Sequence, residues 1–433
     1  MQHIFRYLLI FILFGTAASA SERLVIRGGN DSKIGIELSS FDHSEDISSR
    51  TARKLKKRIT RQLEDTELFS LYEANKLNSS LKHLFQMQLK KLNSAAKLEL
   101  SLETDELSNE ITATIKIYDI FIKDYVLEEQ VSFYEDLWYR GAAQISDLIY
   151  YHFTGLEGYL DTRLVYISEK GSLYNRNKRV ALMSLYGDEH QYITNGKNLV
   201  LTPRLSPDGK QIIYLSYSAD QPKLYLLDLE KMKNKKLLDF KGLLYAPRFS
   251  PDGTQIVMAA TYNGNSEIVL FDLEKKKLKR LTHDLAIDTS PSFSPAGNRI
   301  VFSSDRDGSQ QLYIMDLNGD SLTKIKFDKG NYANPVWSPD GKYIAFTKIY
   351  QGKFHIGVLN MYNYESKILT TGYKDESPSW SPNGKFIIFS RKKANRKKSR
   401  KNVANLYLVN LNGVIIKKID TPDDASDPDW VKL

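Results

Sequence analysis

Ser206-Pro-Asp-Gly209 is the first copy of a four-residue phrase that recurs through the second half of the chain. The later copies are Ser250-Pro-Asp-Gly253, Ser294-Pro-Ala-Gly297, Ser338-Pro-Asp-Gly341 and Ser381-Pro-Asn-Gly384. Their first residues lie 44, 44, 44 and 43 positions apart. A repeat of about 40–45 residues is typical of β-propellers, in which each repeat forms one four-stranded sheet, or blade.

Each copy of the phrase lies between two stretches that have the composition of β-strands. A proline precedes the Ser by three positions, as Pro203 does, and an isoleucine follows that proline by nine, as Ile212 does. Between them Pro presets φ, Asp can bond its own backbone and Gly supplies a positive φ, which is turn chemistry. Because Ala296 and Asn383 replace Asp in two copies, we interpret these aspartates as turn residues and not as a carboxylate ring.

The two ends of the repeat region predict a closed ring. Arg163–Glu169 matches the second-strand run Arg299–Asp305, so the first repeat lacks its inner strand. Asp427–Leu433 carries the Pro-x-aromatic pattern of an inner strand and would supply it. We therefore predict an all-β, six-bladed β-propeller over residues 159–433, closed by the C-terminal strand and preceded by a small α/β domain. An open solenoid and a β-sandwich are the alternatives.

Residues 21–158 show alternating helical and strand patterns, which predict the α/β domain. Apolar stripes predict helices through Ala52–Leu63, capped by Ser48 or Ser49, and over Leu81–Leu92 and Glu135–Phe153. Apolar or alternating runs predict strands. These are Leu24–Ile26, Ile34–Leu38, Leu98–Leu102, Ile111–Tyr118 and Val126–Phe133.

The first twenty residues have the pattern of a signal peptide. His3 and Arg6 precede the apolar run Tyr7–Phe14, and Ala18-Ser-Ala20 follows as a cleavage site. The run is shorter than the roughly 20 apolar residues that span a bilayer. We expect cleavage after Ala20, export, and no stable membrane insertion.

The sequence lacks the common signatures of catalytic and metal sites. It has no cysteine, so disulfides and thiolate chemistry are excluded, and its seven histidines have no metal-ligand spacing. The phosphate-loop, HExxH and GxSxG patterns are also missing. We predict no catalytic residues, no metal, no cofactor and no enzyme; a propeller hydrolase is the rival hypothesis.

The formal net charge of +9 is concentrated in one segment. Arg391–Lys401 holds eight Lys or Arg residues and no acid, in an insertion between the second and third strands of the last repeat. A nucleic-acid binder would carry a broader basic stripe, so we expect no nucleic-acid partner. Two interpretations stay open: a solvated insertion, or an electrostatic contact with an anionic surface, lipid or partner.

With these features in view, the chain resembles the TolB family of the Tol-Pal system of Gram-negative envelopes. The resemblance covers the signal peptide, the α/β domain, the repeats, and the joint Phe153-Thr-Gly-Leu-Glu-Gly158 running into Thr162–Tyr166. It implies a periplasmic, non-enzymatic protein that supports outer-membrane integrity and constriction during cell division. It also implies two partners, the peptidoglycan-associated lipoprotein Pal and the membrane-anchored protein TolA.

The resemblance places Pal at the mouth of the propeller channel. Ala246 and Thr289 match the family's Pal-contacting positions. Tyr245, Asp288, Asn334 and Glu376 are added because they lie in loops just before inner strands.

The resemblance places TolA on the mature N-terminal segment, Ser21-Glu22-Arg23-Leu24-Val25-Ile26-Arg27. In the family this segment also folds back on its own protein and alters Pal affinity, and Gly28-Gly29 would permit such a hinge. Two alternatives stay open. For the segment, the alternative is an ordinary first strand of the N-terminal domain. For the whole chain, the alternative is an exported propeller that binds a small ligand or sugar in its channel.

Overall fold

The structure is a computed structural model that describes residues 33–73, 96–105, 108–172, 175–218, 221–238, 240–393 and 403–433. The predicted signal peptide, the segment Ser21–Arg27, the helix Leu81–Leu92 and most of the basic insertion lie outside these residues. Among the described residues, no helix has the length and apolarity needed to cross a bilayer.

Over the described residues between 33 and 154, a five-stranded sheet with two helices forms the N-terminal part. Its strand order is β2-β1-β3-β4-β5, with β1 parallel to β2 and β3 and the other pairs antiparallel. The elements are β1 (Ile34–His43), α1 (Ser49–Glu64), β2 (Phe69–Tyr72), β3 (Ala96–Asp105), β4 (Glu110–Asp119), β5 (Asp124–Tyr134) and α2 (Trp138–Thr154).

The sequence pattern explains most of these elements. Ser48 caps α1, because its Oγ accepts hydrogen bonds from the backbone N–H groups of Arg50 and Thr51. The predicted stripe of α1 is buried, and β4 alternates buried and half-buried residues along its length. The last helix begins at Trp138, after a 3-10 turn over Glu135–Leu137. Four-residue β2 was not predicted, because so short a run carries no clear period.

The repeat region forms antiparallel sheets in chain order. Separate four-stranded sheets are β9–β12, β13–β16 and β17–β20, and an eight-stranded sheet holds β21–β28. A further sheet, with the order β29-β6-β7-β8, joins the last strand of the region to its first ones. The strands are β6 (Thr162–Ser172), β7 (Asn175–Ser184), β8 (Gln191–Tyr192), β9 (Leu199–Leu205), β10 (Gln211–Ser218), β11 (Gln221–Asp228), β12 (Lys233–Leu238), β13 (Leu244–Phe249), β14 (Gln255–Tyr262), β15 (Asn265–Asp272), β16 (Lys277–Arg280), β17 (Asp288–Phe293), β18 (Arg299–Ser304), β19 (Gln311–Asp316), β20 (Thr323–Lys324), β21 (Asn331–Trp337), β22 (Tyr343–Tyr350), β23 (Lys353–Asn360), β24 (Ser366–Ile368), β25 (Lys374–Trp380), β26 (Phe386–Lys392), β27 (Ala404–Asn410), β28 (Ile415–Ile419) and β29 (Asp424–Lys432).

The sheets do not reproduce the prediction of six separate blades. Within the described residues, four four-stranded sheets stand apart and the last two repeats lie in one eight-stranded sheet. The junction between these repeats is a parallel bridge at one residue pair, Phe354 with Lys374. On either side of the bridge, the strand order is that of an ordinary repeat.

The Ser-Pro-x-Gly turns join the first two strands of each repeat. In the fourth copy, Ser338 Oγ donates to Asp340 at 2.7 Å and accepts from the N–H of Tyr343, while the Gly341 N–H bonds the Ser338 carbonyl. The other copies repeat the serine contacts, with Asn298 replacing the turn acid in the third and Asn383 in the fifth. The interpretation of the aspartates as turn residues is confirmed.

The joint between α2 and β6 fastens the N-terminal part to the repeats. Gly155 ends α2 in the left-handed region, with φ at 66°. The carboxylate of Asp147 accepts the N–H groups of Tyr159, Leu160 and Asp161. The ring of Tyr159 lies 4.5 Å from that of Phe386, between centroids, so one apolar core is continuous from α2 into the ring of sheets.

Candidate docking face of the propeller

Each repeat has an inner strand, and the chain runs along all of these strands in the same direction. The inner strands are β9, β13, β17, β21, β25 and β29, and each contacts the next around the ring. The loops that lead into them therefore gather at one end of the channel, here called the loop face. The Ser-Pro-x-Gly turns lie at the other end, the turn face.

Every inner strand contains a β-bulge at the same place. The residue before each repeat proline has a positive φ, between 44° and 56°, and the strand register shifts there. The six residues are Thr202, Ala246, Ser290, Asn334, Ser377 and Asp427. Since this conformation costs a non-glycine residue roughly 1–2 kcal/mol, its sixfold recurrence marks a constraint of the ring.

Bulge residues of neighbouring inner strands bond one another across the channel wall. Ser290 Oγ donates to Asn334 Oδ1 at 3.0 Å, and Ser377 Oγ donates to Asp427 Oδ1 at 2.8 Å. These bonds join consecutive repeats near the loop face. Two of the six pairs of neighbouring bulge residues are joined in this way, and the six bulge residues are here called the collar.

The structure brings the predicted contact residues to the loop face but gives them different surroundings. Tyr245, Asp288, Asn334 and Glu376 lie within inner strands and not in the loops before them, because strand pairing extends on the N-terminal side of each bulge. Ala246 and Asn334 are bulge residues, and Tyr245 and Thr289 lie directly before a bulge. All four are half-buried. Glu376 is also half-buried, and its Oε2 lies 3.8 Å from the Nζ of Lys392.

Asp288 is the first residue of β17 and is not exposed. Its side chain is 0% exposed and accepts two hydrogen bonds from Nη2 of Arg306, at 3.1 and 3.0 Å. Asp375 takes the same place in the last repeat and is held by Arg391 at 2.7 and 2.8 Å, which raises the pKa of Arg391 above its usual value. Both carboxylates thus hold the loops in place from beneath, and Arg391 belongs to this buried pair and not to the basic insertion.

Large apolar side chains lie exposed on the loop face. Leu285 is 97% exposed and Ile287 is 53% exposed, both in the loop before β17. Leu199, Leu243 and Tyr373 are exposed beside the starts of three other inner strands. Apolar side chains gathered on one surface are typical of protein interaction sites.

A sequence model of the TolB beta propeller domain matches residues 150–433, about two thirds of the chain. The chain belongs to the TolB family. The predicted resemblance is confirmed, and the ring of sheets described above is a TolB-type propeller with a small N-terminal domain.

Curated relatives and a solved structure agree with this assignment. The Tol-Pal system protein TolB of Paramagnetospirillum magneticum is 35% identical over 53% of this chain and 53% of its own length. That of Rickettsia africae is 38% identical over 54% of this chain and 53% of its own length, so the matches span about half of these relatives. The crystal structure of TolB from Acinetobacter baumannii has a TM-score of 0.79 at 24% identity, covers 93% of this chain and 97% of its own, and supports the fold.

The bulges and the collar were not predicted, although the sequence carries a signal for them. The residue before each repeat proline is small or polar, a composition that suits a left-handed residue in a crowded wall. No group of residues suited to a metal ion occurs in the part of the chain that the structure describes.

Proposed function

We propose that the chain is a periplasmic, non-enzymatic scaffold of a Tol-Pal system. Its loop face would bind the peptidoglycan-associated lipoprotein Pal, and its segment Ser21–Arg27 would bind TolA. The two contacts together would support outer-membrane integrity and constriction during cell division. Relatives named as Tol-Pal system components, rather than as enzymes, support this proposal.

The exposed apolar residues of the loop face are the observation that carries the Pal site. Leu285 and Ile287 project from a loop whose base is held by the buried Asp288–Arg306 pair. A partner that covers them gains the free energy of removing apolar surface from water, roughly 25 cal/mol per Å². Because the loop is already fixed, little ordering entropy opposes docking.

We propose Tyr245, Ala246, Thr289, Asn334 and Glu376 as the surrounding contacts. They lie around the collar, where a side chain of the partner that enters the channel would meet them. Asp288 keeps a supporting role, because a fully buried carboxylate in a hydrogen-bonded ion pair cannot also contact a partner.

We propose that the ring has six blades. The eight-stranded sheet would be two blades, β21–β24 and β25–β28, that touch at the single Phe354–Lys374 bridge. The six bulges at equivalent positions support this count, since each belongs to one inner strand.

The test is recovery of partners from the cell envelope with the tagged protein, beside a variant that lacks Ser21–Arg27. We expect a peptidoglycan-bound lipoprotein with both proteins and a TolA-like protein only with the intact one. Recovery of neither would contradict the proposal and favour a propeller that binds a small ligand. Recovery of both partners with the shortened protein would remove TolA binding from that segment.

A further inference from the structure

A second site lies at the opposite end of the channel, inside the turn face. A cavity of about 470 Å³ opens between the Ser-Pro-x-Gly turns. Two arginines from adjacent sheets, Arg204 of β9 and Arg248 of β13, line it. Each follows a repeat proline, and the equivalent positions in the next three repeats hold Ser292, Val336 and Ser379. The two arginines therefore lie together on one wall; the other charged residues of the lining are Asp429, Lys432 and Glu157.

Neither arginine has its hydrogen-bonding capacity filled. Arg204 is 6% exposed; its Nη1 donates to the Pro203 carbonyl at 2.6 Å, and its buried Nε has no hydrogen-bond partner. Nη1 of Arg248 lies 3.8 Å from Asp429 Oδ1, which is beyond hydrogen-bond length. A guanidinium has five N–H donors, so several remain for a ligand.

The nearest carboxylate is engaged elsewhere. Asp429 Oδ2 accepts the N–H of Leu205 at 3.0 Å, and its Oδ1 accepts the hydroxyl of Ser379 at 3.2 Å. Burial, followed by the like charge of Arg204, lowers the pKa of Arg248 to about 9. A buried guanidinium beside a half-buried one, with unfilled donors and only Asp429 at ion-pair distance, favours a further anion between them.

Four aromatic side chains also line the cavity, together with serines of the turns and inner strands. Phe249, Phe293, Trp337 and Trp380 line it beside the arginines. The planar fork of a guanidinium matches a carboxylate through two parallel hydrogen bonds. An aromatic wall favours a ligand whose carboxylate is attached to an apolar body.

We propose that the turn face binds a monocarboxylate with an apolar body, its carboxylate held between Arg204 and Arg248. The site is separate from the loop face and does not depend on partner docking there. One negative charge suits the wall, because Asp429 already offsets part of the charge of the two arginines. A dianion such as phosphate would bring more negative charge than the two arginines, partly offset by Asp429, can neutralise.

The test is a titration of the purified full-length protein with 3-phenylpropanoate, followed by NMR of the arginine side-chain Nε–H groups and by calorimetry. The matched neutral probe is 3-phenylpropan-1-ol, and inorganic phosphate is the third probe. The variants are Arg204→Met and Arg248→Met, with Lys279→Met on the exposed outer strand β16 as the charge-loss control.

We expect 3-phenylpropanoate to shift the Nε–H signals of Arg204 and Arg248, assigned by their loss in the variants. Its affinity should fall at least tenfold in either cavity variant and stay within twofold in Lys279→Met. Thermal unfolding of each variant checks that it folds. The Arg204→Lys variant keeps the positive charge but loses the planar guanidinium, so it should bind 3-phenylpropanoate at intermediate strength.

Three outcomes would overturn the proposal. They are no shift of either arginine signal with millimolar 3-phenylpropanoate, equal binding of the neutral alcohol, and tighter binding of phosphate than of the carboxylate.

Discussion

The Asp288–Arg306 pair lies buried beneath the loop face, and removing one charge isolates the other. Asp288→Asn leaves Arg306 without its anion in a site where the acid is 0% exposed. Loss of one partner of a buried ion pair costs about 3–5 kcal/mol, so we expect the free energy of unfolding to fall by that amount. Chemical denaturation measures it.

The matched control is Asp328→Asn, because Asp328 is an exposed acid in a loop of the same face. We expect it to change the free energy of unfolding by less than about 0.5 kcal/mol. Equal, small effects of the two substitutions would contradict a supporting role for Asp288.

Asp147 at the joint makes stability depend on pH. Burial raises the pKa of Asp147 to about 6, although the three backbone N–H groups that it accepts act in the opposite direction. The unfolded value is about 3.9, so the folded protein binds more protons between these two pH values. The contribution of Asp147 to the unfolding free energy is therefore largest below about pH 4. It decreases by up to about 3 kcal/mol as the pH rises through about 6.

The Asp147→Asn variant tests this dependence, because its side chain does not ionise and its one amide oxygen can still accept the N–H groups of Tyr159 and Leu160. The loss of the Asp161 bond lowers stability by an amount that does not change with pH. From pH 4 to pH 7 we expect the unfolding free energy of the variant to rise relative to that of the unchanged protein. Comparing the two proteins cancels the titration of all other groups. Parallel pH curves would show that Asp147 does not titrate in this range.

The bulge of β13 can be tested with one substitution in two places. Ala246 has φ at 44°, whereas Ala259, its near neighbour on β14, lies within a regular strand and is fully buried. Glycine relieves the left-handed strain at Ala246, so Ala246→Gly should raise the unfolding free energy by roughly 0.5–1 kcal/mol. Ala259→Gly should lower it by about 1 kcal/mol or more, because it adds chain freedom and removes a packed methyl.

Thermal and chemical unfolding of both glycine variants measure these changes. The two substitutions should change the unfolding free energy in opposite directions. A loss of stability at both positions would contradict the view that Ala246 is held under strain by the ring.

Local periodic features of the fold could be predicted, and contacts between distant segments could not. The repeat of Ser206-Pro-Asp-Gly209 predicts strands and turns, because turn chemistry depends on neighbouring residues. The pairs Asp288–Arg306 and Asp375–Arg391 join side chains 18 and 16 residues apart, on or just after two paired strands, and their contact depends on the strand register. The sequence pattern therefore predicted a contact role for Asp288 and placed Arg391 in a basic insertion. The bridge that merges two repeats into one sheet likewise has no local signal.

The N-terminal part and the ring of sheets share one core and a set of polar contacts. Asp65, just after α1, accepts hydrogen bonds from Tyr186 at 2.9 Å and from Lys417 at 3.0 Å, and Arg58 of α1 pairs with Asp188. The N-terminal part is therefore anchored on the first and last repeats. A partner bound at the N-terminus and a partner on the loop face would be connected through one packed body.

The proposed function depends most on the loop face being the docking surface, and one binding measurement tests this directly. The soluble domain of the peptidoglycan-associated lipoprotein is titrated by calorimetry into the unchanged protein, into Thr289→Arg on the loop face, and into Thr254→Arg on an exposed turn of the turn face. We expect Thr289→Arg to weaken binding at least tenfold, because a large charged side chain would block the collar, and Thr254→Arg to bind as the unchanged protein does. Equal affinities for all three folded proteins, or stronger loss with Thr254→Arg, would contradict it.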